Sequence, residues 1–299
     1  MIVLMEFILI CVALAWIGTI LGSFGAASVW RLRAYQLKAD KKAGEKIDKK
    51  EYAQLRPLTE VSTKTDRSRC LHCGHNLAWF DLLPIISWLQ LRGKCRYCHK
   101  KIGSFELLME LGVAAFFVVS FVYWPHALSS WIEIAQFLLW LIGGFGLSVL
   151  LAYDAKWFLL PNKVVFPLIG IAAASAVLTL LNSSDVVVTL YGIATSCLIL
   201  SGVYYLLYVV SKGEWIGFGD IKLGLVLALL LADWRLAFLT LFLANVIGCL
   251  VVIPGMLSKK LTRKSHVPFG PMLIVAWAVA GLFGERLIDW YMQAVLQFI

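Results

Sequence analysis

Long apolar runs, separated by polar or charged turns, recur along the whole chain. A helix needs about 20 predominantly apolar residues to cross roughly 30 Å of hydrocarbon, and most of these runs approach or exceed that length. The sixth is the shortest. The pattern predicts an all-α polytopic membrane protein with about eight transmembrane helices, at residues 4–29, 107–123, 133–153, 164–181, 186–210, 221–231, 236–256 and 270–296.

Composition supports this class, because 61% of the 299 residues are hydrophobic, well above the usual share in a soluble domain. The first apolar run has no basic residues before it and no small-residue cleavage site before the basic segment that follows. We therefore expect it to be retained as a helix rather than removed as a signal peptide.

Basic residues alternate from one side of the predicted spans to the other. Of the 27 Lys and Arg residues, 17 lie between Arg31 and Lys101, and the turns near His126 and Ser183 contain few. Cytoplasmic loops carry the excess of Lys and Arg, so the basic loops are predicted to be cytoplasmic and both termini to lie outside. The net charge of +9 is therefore a signal of membrane topology, and nucleic acid is not an expected partner.

One long polar segment, residues 31–105, interrupts the apolar runs. Its first part, "QLKADKKAGEKIDKKEYAQLRPLTEVSTKTDR", mixes both signs of charge and contains few large apolar residues. It predicts a solvated insert, helical or flexible. The insert is interpreted either as a spacer or as a surface that contacts anionic lipid headgroups.

Two CxxC motifs follow the insert, Cys70–Cys73 and Cys95–Cys98, with 21 residues between them. Two such turns close a tetrahedron around Zn²⁺, and four thiolates without an open position form a structural site. A redox dithiol pair, or cysteines without a ligand, is the alternative. The neighbouring His72, His75 and His99 are candidates to replace one cysteine, and Cys11, Cys197 and Cys249 are expected to pack in apolar spans.

Two aspartates lie at the ends of predicted spans on the same side of the membrane. Asp220 lies in "GEWIGFGDIKLG" and Asp154 in "LLAYDAKWFLLPN". Taken singly, Asp220 is interpreted as a helix N-cap and Asp154 as a boundary charge beside Lys156. Ionisable groups at membrane depth, however, usually face a protein interior or a water-filled cavity.

If the two carboxyl groups meet, they share a proton. One then acts as a base towards water and the other donates to a carbonyl oxygen, as in aspartic proteases. Gly217 and Gly219 are either hinge residues or positions where an extended substrate approaches the backbone closely. The competing signatures HExxH and GxSxG are absent from the sequence.

Five ordered motifs resemble those of type IV prepilin peptidases, the GxGD class of intramembrane aspartyl proteases. The first is "GSFGAASVWRL", at the exit of the first helix. The second is the cysteine segment with "LLPIISWLQLRGKCRYCHKKI". "YDAKWFLLPN", "GFGDIKLG" and "HVPFGPML" follow in order.

This resemblance implies an enzyme of the bacterial inner membrane whose active site faces the cytoplasm. It would remove basic leader peptides from prepilins and pseudopilins and then N-methylate the new terminus with S-adenosylmethionine. Asp154 and Asp220 match the catalytic pair, and the cysteines that match the zinc ligands are Cys70, Cys73, Cys95 and Cys98. The domains implied are a first transmembrane helix at 1–30, a cytoplasmic domain at 31–106 and a seven-helix peptidase domain at 107–299.

Three features depart from the family pattern. Gly25-Ala26 stands where Asn is common, Leu71 stands where Pro is common, and the Lys-rich insert is long. These departures lie in the amino-terminal region, to which the methyltransferase activity belongs, so an enzyme with peptidase activity alone is one alternative. No GxGxxG motif marks a place for S-adenosylmethionine, whose site the sequence does not locate.

Two further alternatives come from other functional classes. One is a membrane scaffold whose zinc knuckles bind a partner. The other is a transporter, although a transporter would be expected to place its acids deep within the spans and to show repeat symmetry between its halves.

Overall fold

The computed structural model describes residues 2–60, 67–259 and 267–296, and within these ranges the regular elements are helical. Seven of the helical segments described are long and apolar enough to cross a membrane. This confirms the predicted all-α class. The helices are α1 Ile2–Lys42, α2 Lys49–Leu55, α3 Ile86–Gln90, α4 Phe105–Tyr123, α5 Trp131–Trp157, α6 Asn162–Leu181, α7 Val186–Cys197, α8 Val203–Val210, α9 Phe218–Leu231, α10 Trp234–Leu257 and α11 Gly270–Leu296.

The sixth predicted span differs from the others, because it forms a short helix, α9. Its 14 residues extend about 21 Å at about 1.5 Å per residue, less than the hydrocarbon thickness. Helix α9 contacts α6, α7, α8, α10 and α11, and six of its residues are buried. Helix α9 is therefore an interior helix of its bundle rather than a membrane span of ordinary length.

The chain divides into two compact units, residues 1–118 and 119–299. In the first unit, α1 is 41 residues long, or about 60 Å, and so it continues well beyond its apolar run. Gly18 and Gly22 permit α1 and α4 to approach closely, since a Cβ at either position would lie 2.6 Å from the Cα of Ala114 or Glu110. Small residues at this spacing let helix backbones pack together in membranes.

The Lys-rich insert is helical where it is described, and it folds back onto the extension of α1. Helix α2 and the 3-10 turn that follows it place Leu55 and Leu58 against Ala34 and Leu37 of α1. Leu71, beside the first cysteine, packs against the same cluster. Arg33 and Glu51 add an ion pair of 2.7 Å between α1 and α2. Residues 61–66 of the insert lie outside the described ranges.

In the second unit, α7 and α8 are joined by a turn of π-helix, Leu198–Gly202. Gly224 of α9 faces this turn, and a Cβ there would lie 2.0 Å from the carbonyl oxygen of Leu200. The Ser201 hydroxyl donates a hydrogen bond of 3.0 Å to the carbonyl of Ile221. The second glycine of "GDIKLG" therefore sets how closely α9 packs against the α7–α8 segment.

Candidate active site and metal cluster

Asp154 lies in the last turn of α5 and is only 6% exposed. The helix ends four residues later at Phe158, which has a left-handed backbone conformation with φ of 56° and donates its N–H to the carbonyl of Asp154. The chain therefore reverses just after the acid. The carboxylate stays inside the bundle, although it lies close to a helix end.

Asp220 lies in the first turn of α9, three residues after the N-cap. The interpretation of Asp220 as the N-cap is wrong, because that position belongs to Gly217. The Asp220 carboxylate instead accepts the backbone N–H of Gly217, as an acid at the third helical position does in a capping box. Its side chain is half-buried.

Asp154 and Asp220 line one cavity of about 850 Å³. The two carboxyl groups are close enough to interact electrostatically. Apolar and aromatic side chains form most of the remaining wall, which suits an apolar ligand with a few polar groups placed at one end. The wall includes Val203, Leu207, Trp215, Ile216, Leu241 and Phe269.

The N-terminus of α11 holds Asp154 in place. The backbone N–H of Gly270 donates a hydrogen bond to its carboxylate, and a helix N-terminus favours negative charge. A Cβ on Gly270 would lie 2.6 Å from Asp154 Oδ2, so only glycine fits without displacing the acid. This accounts for the glycine of "HVPFGPML", a motif whose first residue, His266, lies outside the described ranges.

The segment that follows Asp154 also contacts the motif around Asp220. Leu160 packs on Gly219, where an added Cβ would lie 3.1 Å from Leu160 Cδ1. Lys222 donates a hydrogen bond to the side-chain oxygen of Asn162. The two aspartate motifs are thus joined by direct contacts, which fix the positions of the two acids relative to each other.

Tyr204 is a polar residue at the cavity that the sequence analysis missed. It is 4% exposed and lines the cavity with both acids. Its hydroxyl is buried without a hydrogen-bond partner among the described residues, and it interacts electrostatically with Asp220. The run "VYYLLYVV" contains three tyrosines at helical spacing, so the sequence offered no signal that singled out this one.

The four cysteines of the two CxxC motifs lie together in the first unit. Their Sγ atoms all lie within 4.8 Å of one another. Each motif forms a tight turn in which the N–H of the residue after the second cysteine donates to the carbonyl of the first, from Gly74 to Cys70 and from His99 to Cys95. Both donors have left-handed backbones, with φ of 71° and 56°.

The cysteine cluster fits a tetrahedral metal site. The Sγ atoms of Cys70 and Cys98 are 3.9 Å apart, close to the edge of about 3.8 Å expected for a tetrahedron with zinc–sulfur bonds of about 2.3 Å. Burial raises the pKa of the Cys70 thiol to about 12, so a cation is needed to hold it as a thiolate. Such a cation would be held by sulfur alone.

The three neighbouring histidines are not members of the cluster. His72 Nε2 lies 3.2 Å from the carbonyl of Lys101, and the ring of His75 lies 3.7 Å from that of Tyr97. The four-cysteine set, rather than the alternative in which a histidine replaces one cysteine, is the group that the structure brings together. Cys11, Cys197 and Cys249 lie in helices and are not members of the cluster, and Cys249 is exposed rather than packed.

Asp81, in the segment between the two CxxC motifs, binds the second of them. Its carboxylate accepts hydrogen bonds from Arg96 Nε at 2.7 Å and from the Tyr97 hydroxyl at 3.0 Å, both within the second CxxC motif. Although burial opposes ionisation, these bonds lower the pKa of Asp81 below its usual range. The pair with Arg96 is charge-assisted and mostly shielded on the acid's side.

Two family models match the chain in succession. The model for the bacterial peptidase A24 N-terminal domain matches residues 16–124, and that for the type IV leader peptidase family matches residues 141–253. Both aspartates fall in the second match and all four clustered cysteines in the first.

Curated relatives are similar over most of their length. A prepilin leader peptidase/N-methyltransferase of Stutzerimonas stutzeri is 34% identical over 76% of this chain and 75% of its own. One of Pseudomonas aeruginosa, with the same name, is 30% identical over 93% of this chain and 91% of its own. A type 4 prepilin-like proteins leader peptide-processing enzyme of Escherichia coli is 27% identical over 86% of this chain. No solved structure is significantly similar to the chain.

Proposed function

The chain belongs to the type IV leader peptidase family, and from this membership we propose that it is an aspartic endopeptidase of the membrane. It removes the basic leader peptide from type IV prepilins and pseudopilins. The observation that carries the proposal is the cavity of about 850 Å³ that Asp154 and Asp220 share. Relatives with peptidase names support the substrate class.

The two acids divide the chemistry between them. Two neighbouring carboxyl groups hold one proton at rest, since both cannot easily ionise. The ionised member takes a proton from water, which attacks the scissile carbonyl, while the protonated member donates to the carbonyl oxygen. When the tetrahedral intermediate collapses, the C–N bond breaks, the first acid gives its proton to the leaving amine, and the second regains its proton as the new carboxyl group forms. The hydrogen bond from Gly270 to Asp154 and that from Gly217 to Asp220 keep both carboxylates oriented during this exchange.

Other groups at the cavity position the substrate. The unpartnered hydroxyl of Tyr204 is a hydrogen-bond donor for the water or the carbonyl at the acids. Gly217 lines the cavity, and together with Gly219 it offers backbone against which the extended cleavage segment lies. The apolar wall accepts the hydrophobic stem of the pilin, which also needs lipid or helix neighbours.

After cleavage the same enzyme N-methylates the new terminus. The names of the relatives, prepilin leader peptidase/N-methyltransferase, support this second activity. S-Adenosylmethionine supplies the methyl group. A peptidase without methyltransferase activity is the alternative, because Gly25-Ala26 and Leu71 depart from the family pattern within the amino-terminal region.

A structural zinc ion completes the first unit. Cys70, Cys73, Cys95 and Cys98 would hold it, and without an open ligand position it stabilises the fold rather than the reaction. We expect one zinc per chain, which elemental analysis of protein purified without chelators checks. A zinc content near zero in that protein would contradict the proposed zinc site.

The enzyme lies in the bacterial inner membrane, with its basic loops and active site on the cytoplasmic side. The distribution of Lys and Arg supports this orientation. Prepilin leaders are basic and approach through water, and the lipid bilayer is the other expected partner.

The deciding experiment pairs cleavage with substitution of each acid. Asp154→Asn and Asp220→Asn should each abolish removal of the leader from a co-expressed prepilin, because an amide cannot cycle the proton. Membrane insertion should be unchanged. Full cleavage by either variant would reject that residue as catalytic, and no cleavage by the wild type would favour a scaffold or a transporter.

A further inference from the structure

The first unit contains two adjoining cavities that neither Asp154 nor Asp220 lines. One has a volume of about 1020 Å³ and the other of about 170 Å³, and Ser23, Ala27 and Leu77 line both. Sites for small organic molecules commonly measure about 300 to 1,000 Å³. The space therefore suits a molecule of nucleoside size.

The smaller cavity has a carboxylate oxygen that is buried without a partner. Glu106 Oε1 accepts a hydrogen bond of 3.1 Å from Trp30 Nε1. Its other oxygen, Oε2, has no hydrogen-bond partner within the described parts of the chain and is shielded from solvent. Such an oxygen is costly unless a ligand satisfies it.

A second carboxylate lies one helical turn further along α4. Glu110 is 6% exposed and accepts the N–H of Ile85 at 2.7 Å and the hydroxyl of Ser23. It lines the same cavity and interacts electrostatically with Glu106. Glu110 is buried and Glu106 half-buried, and the three donors named here are neutral, although Arg69 and Arg96 also line the cavity. The unpartnered oxygen of Glu106 therefore favours a ligand that carries positive charge.

The rest of the walls complement a nucleoside with an amino-acid tail. The indoles of Trp30 and Trp88 line the smaller cavity and that of Trp79 the larger one. Indole faces attract cations and stack on nucleobases. Arg31 and Arg67 line the larger cavity and provide charge for a carboxylate.

We propose that these cavities bind S-adenosylmethionine, with its sulfonium and ammonium groups towards Glu106 and Glu110. The molecule combines two positive charges, a carboxylate and an adenine, and each has a counterpart in the walls. Adenine lies against an indole, and the carboxylate faces Arg31 and Arg67. The inference rests on the proposed methyltransferase activity and gives it a place in the first unit.

Binding measured at equilibrium tests this site. Full-length protein in nanodiscs is titrated calorimetrically with S-adenosylmethionine and with S-adenosylhomocysteine, which lacks the charge on sulfur. Glu106→Gln should weaken S-adenosylmethionine binding at least about tenfold, as expected for loss of a bond to a charged group. S-Adenosylhomocysteine should lose less. Glu45→Gln, an exposed acid of the same unit, should bind both like the wild type.

Prepilin cleavage by the same preparations shows that the variants are folded. Unchanged binding in a cleaving Glu106→Gln variant would overturn the site alone. A wild type that cleaves but binds no S-adenosylmethionine would overturn the methyltransferase proposal, and the site with it. The same titration with a synthetic leader peptide tests another occupant of the cavities. If Glu106→Gln binds S-adenosylmethionine like the wild type but no longer binds the leader peptide, the site would also be overturned.

Crosslinking of the wild type keeps the test independent of how any variant folds. Radiolabelled S-adenosylmethionine is irradiated on the protein, and the labelled peptides are mapped. Label within residues 20–31, 67–69 or 77–110 is the expected result. Label confined to other peptides would overturn the proposal.

Discussion

The position of the Asp154 carboxylate depends on residue 270 being glycine, which has only a hydrogen atom where other residues have Cβ. Gly270→Ala places a methyl carbon 2.6 Å from Asp154 Oδ2, which is too close, so the carboxylate must move. A displacement of about 1 Å at a reacting group lowers the rate by about a hundredfold. We expect Gly270→Ala to lose most cleavage activity while the protein still inserts, measured as the initial rate on a purified prepilin.

Gly170→Ala is the matched control, because a Cβ at this glycine of α6 meets nothing within 4 Å. It should cleave at the wild-type rate. If Gly270→Ala cleaves as fast as Gly170→Ala, the contact with Asp154 does not position the acid.

The sequence predicted which acids to examine but not what their glycines do. Asp154 and Asp220 were identified from their places at the ends of apolar runs, and they line one cavity. Gly219, however, packs on Leu160, so loss of cleavage in Gly219→Ala would not by itself indicate substrate approach. Gly217→Ala tests that better, since its Cβ makes only an ordinary contact at 3.6 Å with Asp220 Oδ2. Such pairings depend on long-range packing, which local patterns do not encode.

Among the elements, the second CxxC turn is held by an acid outside it, Asp81. Asp81→Asn removes the charge-assisted bond to Arg96 and weakens that to Tyr97. The acid's side of this bond is shielded while Arg96 is partly exposed, and breaking it costs about 1 to 3 kcal/mol. We expect faster release of zinc to a chromogenic chelator and a lower denaturation midpoint for the first unit.

Glu60→Gln provides the comparison for this change. It also neutralises an acid paired with arginine in the same unit, but the pair with Arg56 is exposed and worth at most about 1 kcal/mol. Zinc release from Asp81→Asn no faster than from Glu60→Gln would contradict a structural role for Asp81.

The knuckles were predictable because CxxC spacing is local, whereas the fold of the insert was not. Its composition indicated a solvated segment, and the two leucines that anchor it, Leu55 and Leu58, are too few to produce a periodic pattern. They are buried because α1 continues far enough to meet them. Leu71 packs on the same cluster, so the insert and the residue after the first cysteine share one small core.

At the scale of the whole molecule, the succession of apolar runs predicted the helical membrane fold, and TM-length segments confirm it. The run at 221–231 was the exception. Hydropathy registers that a helix is apolar, but it does not distinguish contact with lipid from contact with other helices. Helix α9 is apolar because its neighbours surround it.

That short interior helix leaves part of the membrane depth unfilled at the proposed catalytic centre. A rod of about 21 Å is shorter than the hydrocarbon layer, and its helical neighbours separate it from lipid, so water must reach its end from one face of the bundle over a distance that the bilayer thickness sets. The proposed hydrolysis needs such water at Asp220, in the first turn of α9. Cleavage should therefore be severalfold faster in thin dimyristoleoyl-phosphatidylcholine vesicles than in thick dierucoyl-phosphatidylcholine vesicles, with circular dichroism to verify equal folding. Equal rates would mean that the acids are hydrated by a route within the protein, whatever the thickness of the surrounding lipid.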